Sequence, residues 1–248
     1  MLAAPKQRLD QLVAGLGLAD SRSRARALIE QGFVRVNDQV VSKPGATIAA
    51  DATIAVSGDY CPWVSRGGLK LAHALEVFGL SPENAVAIDI GASTGGFTQV
   101  LLHHGAARVY AVDAGHGQLS PSLRDDPRVV VLEKTNARYL RQSDVPETPE
   151  WIVCDASFIS LSTVLPAALS LARPAARLVA LVKPQFEAGP ARVGKGGVVR
   201  EAGVRQAVCR EVQEWLESVG WPVDGLVESP ITGPDGNKEY LVSAHRSP

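Results

Sequence analysis

A short apolar run, Val86, Ala87, Ile88 and Ile90, stops at three closely spaced glycines and gives way to an amphipathic stretch led by Phe97, Val100, Leu101 and Leu102. That order specifies a buried parallel β-strand whose chain turns tightly into a helix packed back on it. The turn between them, DIGASTGGF at 89–97, has the makings of a ligand loop. Gly91, Gly95 and Gly96 leave out β-carbons where a bound molecule must approach the backbone, and Ala92, Ser93 and Thr94 keep the rest of the turn small. The spacing differs from the Gly-x-Gly-x-x-Gly turn that holds a dinucleotide pyrophosphate. Asp89, in the strand itself, would repel a polyanion but suits a cofactor with a cationic amino acid end, such as S-adenosylmethionine. The next strand leads from Val109 to Val112 into Asp113, whose carboxylate can accept hydrogen bonds from both hydroxyls of a ribose. An ordinary strand-turn-helix with structural glycines is the plain alternative, and the second acid speaks against it.

From Ala85 onward the alternation repeats. Strand-like runs fall at 86–90, 108–113, 129–132, 151–155, 177–183, 223–228 and 239–244, with helical patterns at about 96–104, 161–172 and 202–219. This is the α/β order of a doubly wound, Rossmann-like sheet of seven strands. Residues 6–57 read instead as a small α+β unit. Leu9, Leu12, Val13 and Leu16 share a helical face before a stop at Gly17, and Ser21 opens a second helix that buries Ala25, Leu28 and Ile29 and ends at Gly32. Short β-type segments follow at Phe33 to Val36, Val40 to Val41 and Thr53 to Val56, with turn chemistry at Asn37-Asp38 and Pro44-Gly45. DYCPW at 59–63 fits neither pattern, because Pro62 restricts Cys61 before it and Trp63 offers an anchor against a neighbour. The expected organisation is a first domain over 1–58, a linker over 59–63 and a second domain over 64–248, the last opening with a helix that carries Leu69, Leu71, Ala72 and Leu75.

A chain that is 46% hydrophobic and 21% charged folds rather than staying disordered. Its net charge of −1 conceals a slightly basic start, seven Lys or Arg against five Asp or Glu through Gly58. Cys61, Cys154 and Cys209 have no metal-ligand spacing and suit a reducing compartment as structural thiols. No export signal core and no apolar run near the roughly 18 residues that span a bilayer can be found, so a cytoplasmic protein without a membrane partner is expected.

Two strands end in groups suited to catalysis, Asp155 and Lys183, and the carboxyl ends of parallel strands are where such sheets bind ligands. Lys183 emerges from the run Leu178 to Val182 and precedes Pro184, so desolvation and a neighbouring cation should lower its pKa toward that of a usable base. Lys70, on the helix entering the sheet, and Glu239, at the start of the last strand, can converge with them. Taken singly, each of the four also reads as a surface or salt-bridge residue.

The order Lys70, Asp155, Lys183, Glu239, with the glycine turn between the first two, resembles the Lys-Asp-Lys-Glu tetrad of the FtsJ-type ribose 2′-O-methyltransferases. Longer strings sharpen the likeness: VSRGGLKL at 64–71, VDAGHGQL at 112–119, DPRVVVLEKTNAR at 126–138, DASFISL at 155–161, VKPQFEAG at 182–189 and GPDGNKEYLV at 233–242. With the N-terminal unit they resemble the TlyA family of bacterial ribosomal RNA cytidine 2′-O-methyltransferases, some of them labelled hemolysins. The resemblance implies an S4-type RNA-binding domain followed by a methyltransferase domain, and S-adenosylmethionine as cofactor with no metal. It makes Lys183 the general base and gives Lys70, Asp155 and Glu239 the task of orienting it and the ribose hydroxyl. It also implies that Asp89, Gly91 through Phe97, Asp113, Asn136, Asp155 and Phe158 line the cofactor, although Phe158 reads equally well as a core aromatic.

For ribosomal RNA or a ribosomal subunit as partner, the candidate contacts begin with Arg22, Arg24 and Arg26, which an inward face of Ala25, Leu28 and Ile29 should project outward together. Arg8, Arg35, Lys43, Arg66, Lys134 and Arg138 complete the set, each also readable as an ordinary solvated charge. No protein partner is implied. Because the chain stops just after its last strand, the resemblance favours large-subunit RNA. The competing functions are an RNA-binding assembly factor without catalysis, which the intact tetrad opposes, and a membrane-lysing protein, which lacks the amphipathic basic helix it would need.

Overall fold

The computed structural model describes residues 6–19, 21–30, 32–56, 61–194, 196–233 and 236–247. Asp20, Gly58, Asp59 and Tyr60, and Pro234 and Asp235 of the 233–242 string, lie outside the described residues. The chain gathers into two compact units, residues 1–62 and 63–248.

In the first unit, β1 (Lys6–Arg8) leads into α1 (Leu9–Gly15) and α2 (Arg22–Glu30), followed by β2 (Val34–Val36), β3 (Gln39–Val40), β4 (Thr47–Ala49) and β5 (Ile54–Val56). Ser21 starts α2 by accepting a hydrogen bond from the Arg24 amide at 3.1 Å, the expected N-cap. Leu9, Val13, Ala25, Leu28, Ile29, Val34 and Val36 form its core. Leu16 is not part of it: α1 stops one residue earlier, Gly17 turns at φ +70°, and the leucine is left 59% exposed. The pairing of β1 with β4 has no counterpart in the hydrophobic pattern, because β1 is exposed throughout.

The second unit begins with α3 (Gly67–Phe78), closed by Gly79 at φ +62°, where the Leu80 amide reaches back to the Leu75 carbonyl. Then come β6 (Val86–Ile90), α4 (Gly96–His103), β7 (Arg108–Val112), α5 (Pro121–Arg124), β8 (Val129–Leu132), β9 (Trp151–Cys154), α6 (Leu161–Val164), α7 (Pro166–Leu171), β10 (Arg177–Val182), α8 (Pro184–Glu187), α9 (Ala202–Ser218), β11 (Val223–Glu228) and β12 (Tyr240–His245). The seven strands lie in the order β11-β12-β10-β9-β6-β7-β8, with β12 antiparallel to both neighbours and β6 to β10 parallel.

Alternate residues of the central strands feed two separate cores. Ala87, Val109, Val153, Val179 and Leu181 pack under α3 and α4, while Ile88, Ile90, Ile152, Leu178 and Val182 pack under α6, α7 and α9. Burial on both faces explains why these strands read as unbroken apolar runs. The helix expected over 161–172 is two helices, since Pro166 lacks the amide that a continuous helix would need there.

Candidate active site

Parallel register brings the chemistry to one edge of the sheet. Ile90 and Ala180 both lie opposite Cys154, so β6, β9 and β10 deliver Gly91, Asp155 and Lys183 to the same side. The antiparallel β12 sets Tyr240 opposite Val182, and Glu239 thus arrives beside Lys183; it stands immediately before the strand rather than within it. Lys70 comes down from the first turns of α3.

The four side chains meet. Lys183 Nζ lies 2.6 Å from Asp155 Oδ1, and Lys70 Nζ lies 3.7 Å from Asp155 Oδ2 and 2.7 Å from Glu239 Oε2. Lys70, Lys183 and Glu239 are all buried, with residue exposures of 7%, 7% and 1%. The neighbouring cation expected at Lys183 is present, but Asp155 stands between the two ammonium groups, and two positive and two negative groups balance one another. Lys183 Nζ also donates to Ser157 Oγ at 2.8 Å and to the Asp155 carbonyl at 3.3 Å. Ser157 escaped the sequence reading; its only signal was a hydroxyl two residues after Asp155 in DASF. Gly233 packs against Glu239 so closely that an added β-carbon would lie 2.2 Å from Oε1.

Two adjoining cavities open here. One, about 370 Å³, is lined by Arg66, Lys70, Thr94, Phe97, Asp155, Ser157, Lys183 and Gly233. The other, about 670 Å³, is lined by Gly91, Ser93, Asp113, Gln118, Asn136, Arg138, Asp155, Ser157 and Phe158. Gly91, Ser93, Asp155 and Ser157 border both. Gly91 turns at φ +79° and an added β-carbon would meet the 155–156 backbone at 3.0 Å, which is the close approach that requires glycine. Asp113 accepts from the Ser93 amide at 2.8 Å and the Gly115 amide at 2.6 Å, so it anchors the glycine turn and also lines the larger cavity. Glu133, also missed in the sequence, holds the next loop through the Gln118 amide, Arg124 and His116. Backbone hydrogen bonding at the 117–119 loop, aided by Arg124, draws its carboxyl down to about 2.

Several expected ligand contacts sit elsewhere. Asp89 is wholly buried and lines neither cavity; it accepts a 2.6 Å hydrogen bond from Thr98 Oγ1, and its Oδ1 has no hydrogen-bond partner among the described residues. Burial pushes its carboxyl up to about 7, with the charges of Asp155 and Asp113 adding and the Thr98 bond opposing. Gly95 is packed against Leu119 and Leu123 rather than facing ligand. Phe158 is no core residue: at φ +64° it is 90% exposed, its ring centroid 5.0 Å from that of Phe186. The carboxylates that do line the cavities, Asp113 and Asp155, and the small turn beside them fit an adenosyl cofactor with a cationic end better than a phosphate.

The basic candidates are dispersed in a different way from that expected. Arg8 and Arg22 both bind Asp10, each at 3.0 Å, and the Arg8 hydrogen bond holds the Asp10 carboxyl at about 2. Arg26 lies 3.9 Å from Glu30, and Arg24 is half-buried, so the three helix arginines do not share one open face. Arg35 donates to the Asp38 carbonyl, Arg138 packs over the Tyr139 ring, and Lys43, Arg66 and Lys134 are exposed.

Residues 63–246 match the FtsJ-like methyltransferase family, and residues 7–54 match the S4 domain. The 16S/23S rRNA (cytidine-2′-O)-methyltransferase TlyA of Mycobacterium tuberculosis is 46% identical over 96% of this chain and 90% of its own length. Hemolysin A of Brachyspira hyodysenteriae is 41% identical over 94% of this chain and 98% of its own. A solved structure from Streptococcus thermophilus shares 43% identity and a TM-score of 0.77, covering 99% of this chain and 90% of that one. Among the described residues, no helix is long and apolar enough to cross a membrane.

Proposed function

The chain belongs to the FtsJ-like methyltransferase family, within its TlyA group, and from that membership we propose that it methylates the 2′-hydroxyl of a cytidine in ribosomal RNA in the cytoplasm. Residues 1–58 are the RNA-binding domain and 64–248 the catalytic one in this reading. S-Adenosylmethionine, when bound, supplies a methyl group activated by its sulfonium. The turn from Gly91 to Phe97, with Asp113, Asn136, Asp155 and Phe158, would hold it, and Asp89, sealed beneath that turn on Thr98, would support the turn rather than touch the cofactor.

The observation that carries the proposal is the Lys70, Asp155, Lys183, Glu239 cluster beside the smaller cavity, with Asp155 bordering both cavities. Lys183, as the free amine, removes the ribose proton. Asp155 fixes the position of that amine, and Lys70, clamped between Asp155 and Glu239, fixes Asp155 in turn. Holding the nucleophile in line is worth effective molarities of about 10⁵–10⁸ M, to which a general base adds roughly 10²–10⁴-fold. Arg8, Arg22, Arg24, Arg26, Arg35, Lys43, Arg66, Lys134 and Arg138 are the proposed phosphate contacts, and the proposed substrate is the large-subunit RNA, with the small-subunit RNA as a further target.

Lys183→Ala tests the assignment. Single-turnover methyl transfer should fall by at least about 10²-fold while calorimetry finds S-adenosylmethionine affinity within a few fold of the wild type. Turnover at the original rate would remove Lys183 from its role. Digestion and mass spectrometry of ribosomal RNA, with and without the protein, identify the nucleotide and the subunit.

A further inference from the structure

We propose that Ser157 is a catalytic residue of this site, its hydroxyl passing the proton of the ribose hydroxyl to Lys183. The inference rests on the 2′-O-methylation reading above. It begins from the coordination of Lys183, whose side chain is only 8% exposed and whose Nζ meets three protein oxygens: Asp155 Oδ1 at 2.6 Å, Ser157 Oγ at 2.8 Å and the Asp155 carbonyl at 3.3 Å.

An ammonium group donates to the hydroxyl and the carbonyl and pairs as an ion with the carboxylate, all three N–H groups having an oxygen nearby. A base is different. The free amine has two N–H groups and one lone pair, and both the carboxylate and the carbonyl can only accept. They take the two N–H groups, which turns the lone pair toward the one partner able to donate, the Ser157 hydroxyl. Ser157 is itself exposed and borders both cavities, whereas Lys183, 7% exposed, lines only the smaller one. Its oxygen can accept from a hydroxyl in the cavity while its own hydrogen points inward.

The transfer then balances. The ribose O2′–H bond breaks as a Ser157 Oγ–H bond forms; the original Oγ–H bond breaks as an Nζ–H bond forms on Lys183. The electron pair left on the ribose oxygen makes the new bond to the methyl carbon, and the departing sulfur keeps the pair of the bond that breaks. Ser157 ends as it began, and Lys183 ends as an ammonium able to donate to Ser157 Oγ, 2.8 Å from its Nζ.

Full-length Ser157→Ala and Ser157→Thr proteins test the relay in single-turnover methylation of ribosomal RNA, run in mixtures of H₂O and D₂O. The alanine variant should lose about 10²-fold or more in rate, with S-adenosylmethionine affinity by calorimetry and RNA affinity within about twofold of wild type. The threonine variant, which keeps the hydroxyl, should recover to within about tenfold. The wild-type rate should curve with deuterium fraction, as two moving protons require, and the residual alanine rate should vary linearly. An alanine variant within about threefold of wild type, or a linear wild-type dependence, overturns the relay while leaving Lys183 as base. A wild-type protein that binds S-adenosylmethionine but methylates no ribosomal RNA overturns the underlying reading and the relay with it.

Discussion

Asp89 shows how far a single side chain's surroundings can depart from its place in a motif. The sequence reading put this carboxylate at the cofactor, whereas the fold seals it under the glycine turn on Thr98 and carries its pKa to about 7. An unfolded aspartate titrates near 3.9, so between about pH 4 and pH 7 the folded protein retains a proton that the unfolded chain has released. Stability therefore falls as pH rises through that window, and the full penalty stands above it. Asp89→Asn should reduce the loss of unfolding free energy between pH 4 and pH 8 by on the order of 3 kcal/mol, measured from denaturant midpoints and slopes. Equal losses in the two proteins would show that Asp89 does not titrate there. The placement of Lys183, directly after an apolar strand, was legible beforehand. Phe158 was not, because its exposure follows from a positive φ that an ordinary aromatic position gives no sign of.

Among the elements, α3 and α4 meet at glycine. An added β-carbon on Gly96 would lie 2.4 Å from Ser65 Oγ and 2.8 Å from the Gly68 amide nitrogen, and one on Gly68 would lie 2.3 Å from Trp63. Gly96→Ala should therefore destabilise the protein by about 1–3 kcal/mol through overpacking and also slow methyl transfer, since α3 carries Lys70. Thermal unfolding together with single-turnover rates measures both; an unchanged melting temperature would mean that the helices separate without cost. Strand positions were readable because residues such as Leu178 to Val182 are apolar on both faces, and the antiparallel last strand then supplies Glu239 where the pattern asked for it. The break at Pro166 was visible in the residue but submerged in the apolar face around it. The exposed pairing of β1 with β4 had no periodicity to betray it.

Over the whole molecule the net charge of −1 means that any attraction for RNA is local. Nine phosphate contacts would give a slope of about −8 in log affinity against log salt for a duplex. Arg8, Arg22 and Arg26 already have carboxylates at 3.0, 3.0 and 3.9 Å, so a shallower slope is expected for ribosomal RNA. A filter-binding series from low to physiological salt gives the value, and −8 or steeper would mean that those carboxylates release their arginines on binding. A different consequence follows from the pairing of Lys70 with Glu239, which are 169 positions apart. A chain emerging from its N-terminus acquires the S4 unit and the glycine turn long before the final strand docks. On the proposed reading, the unit assigned to RNA is complete during synthesis before the assigned catalytic cluster, which closes only when β12 has docked and brought Glu239 to Lys70.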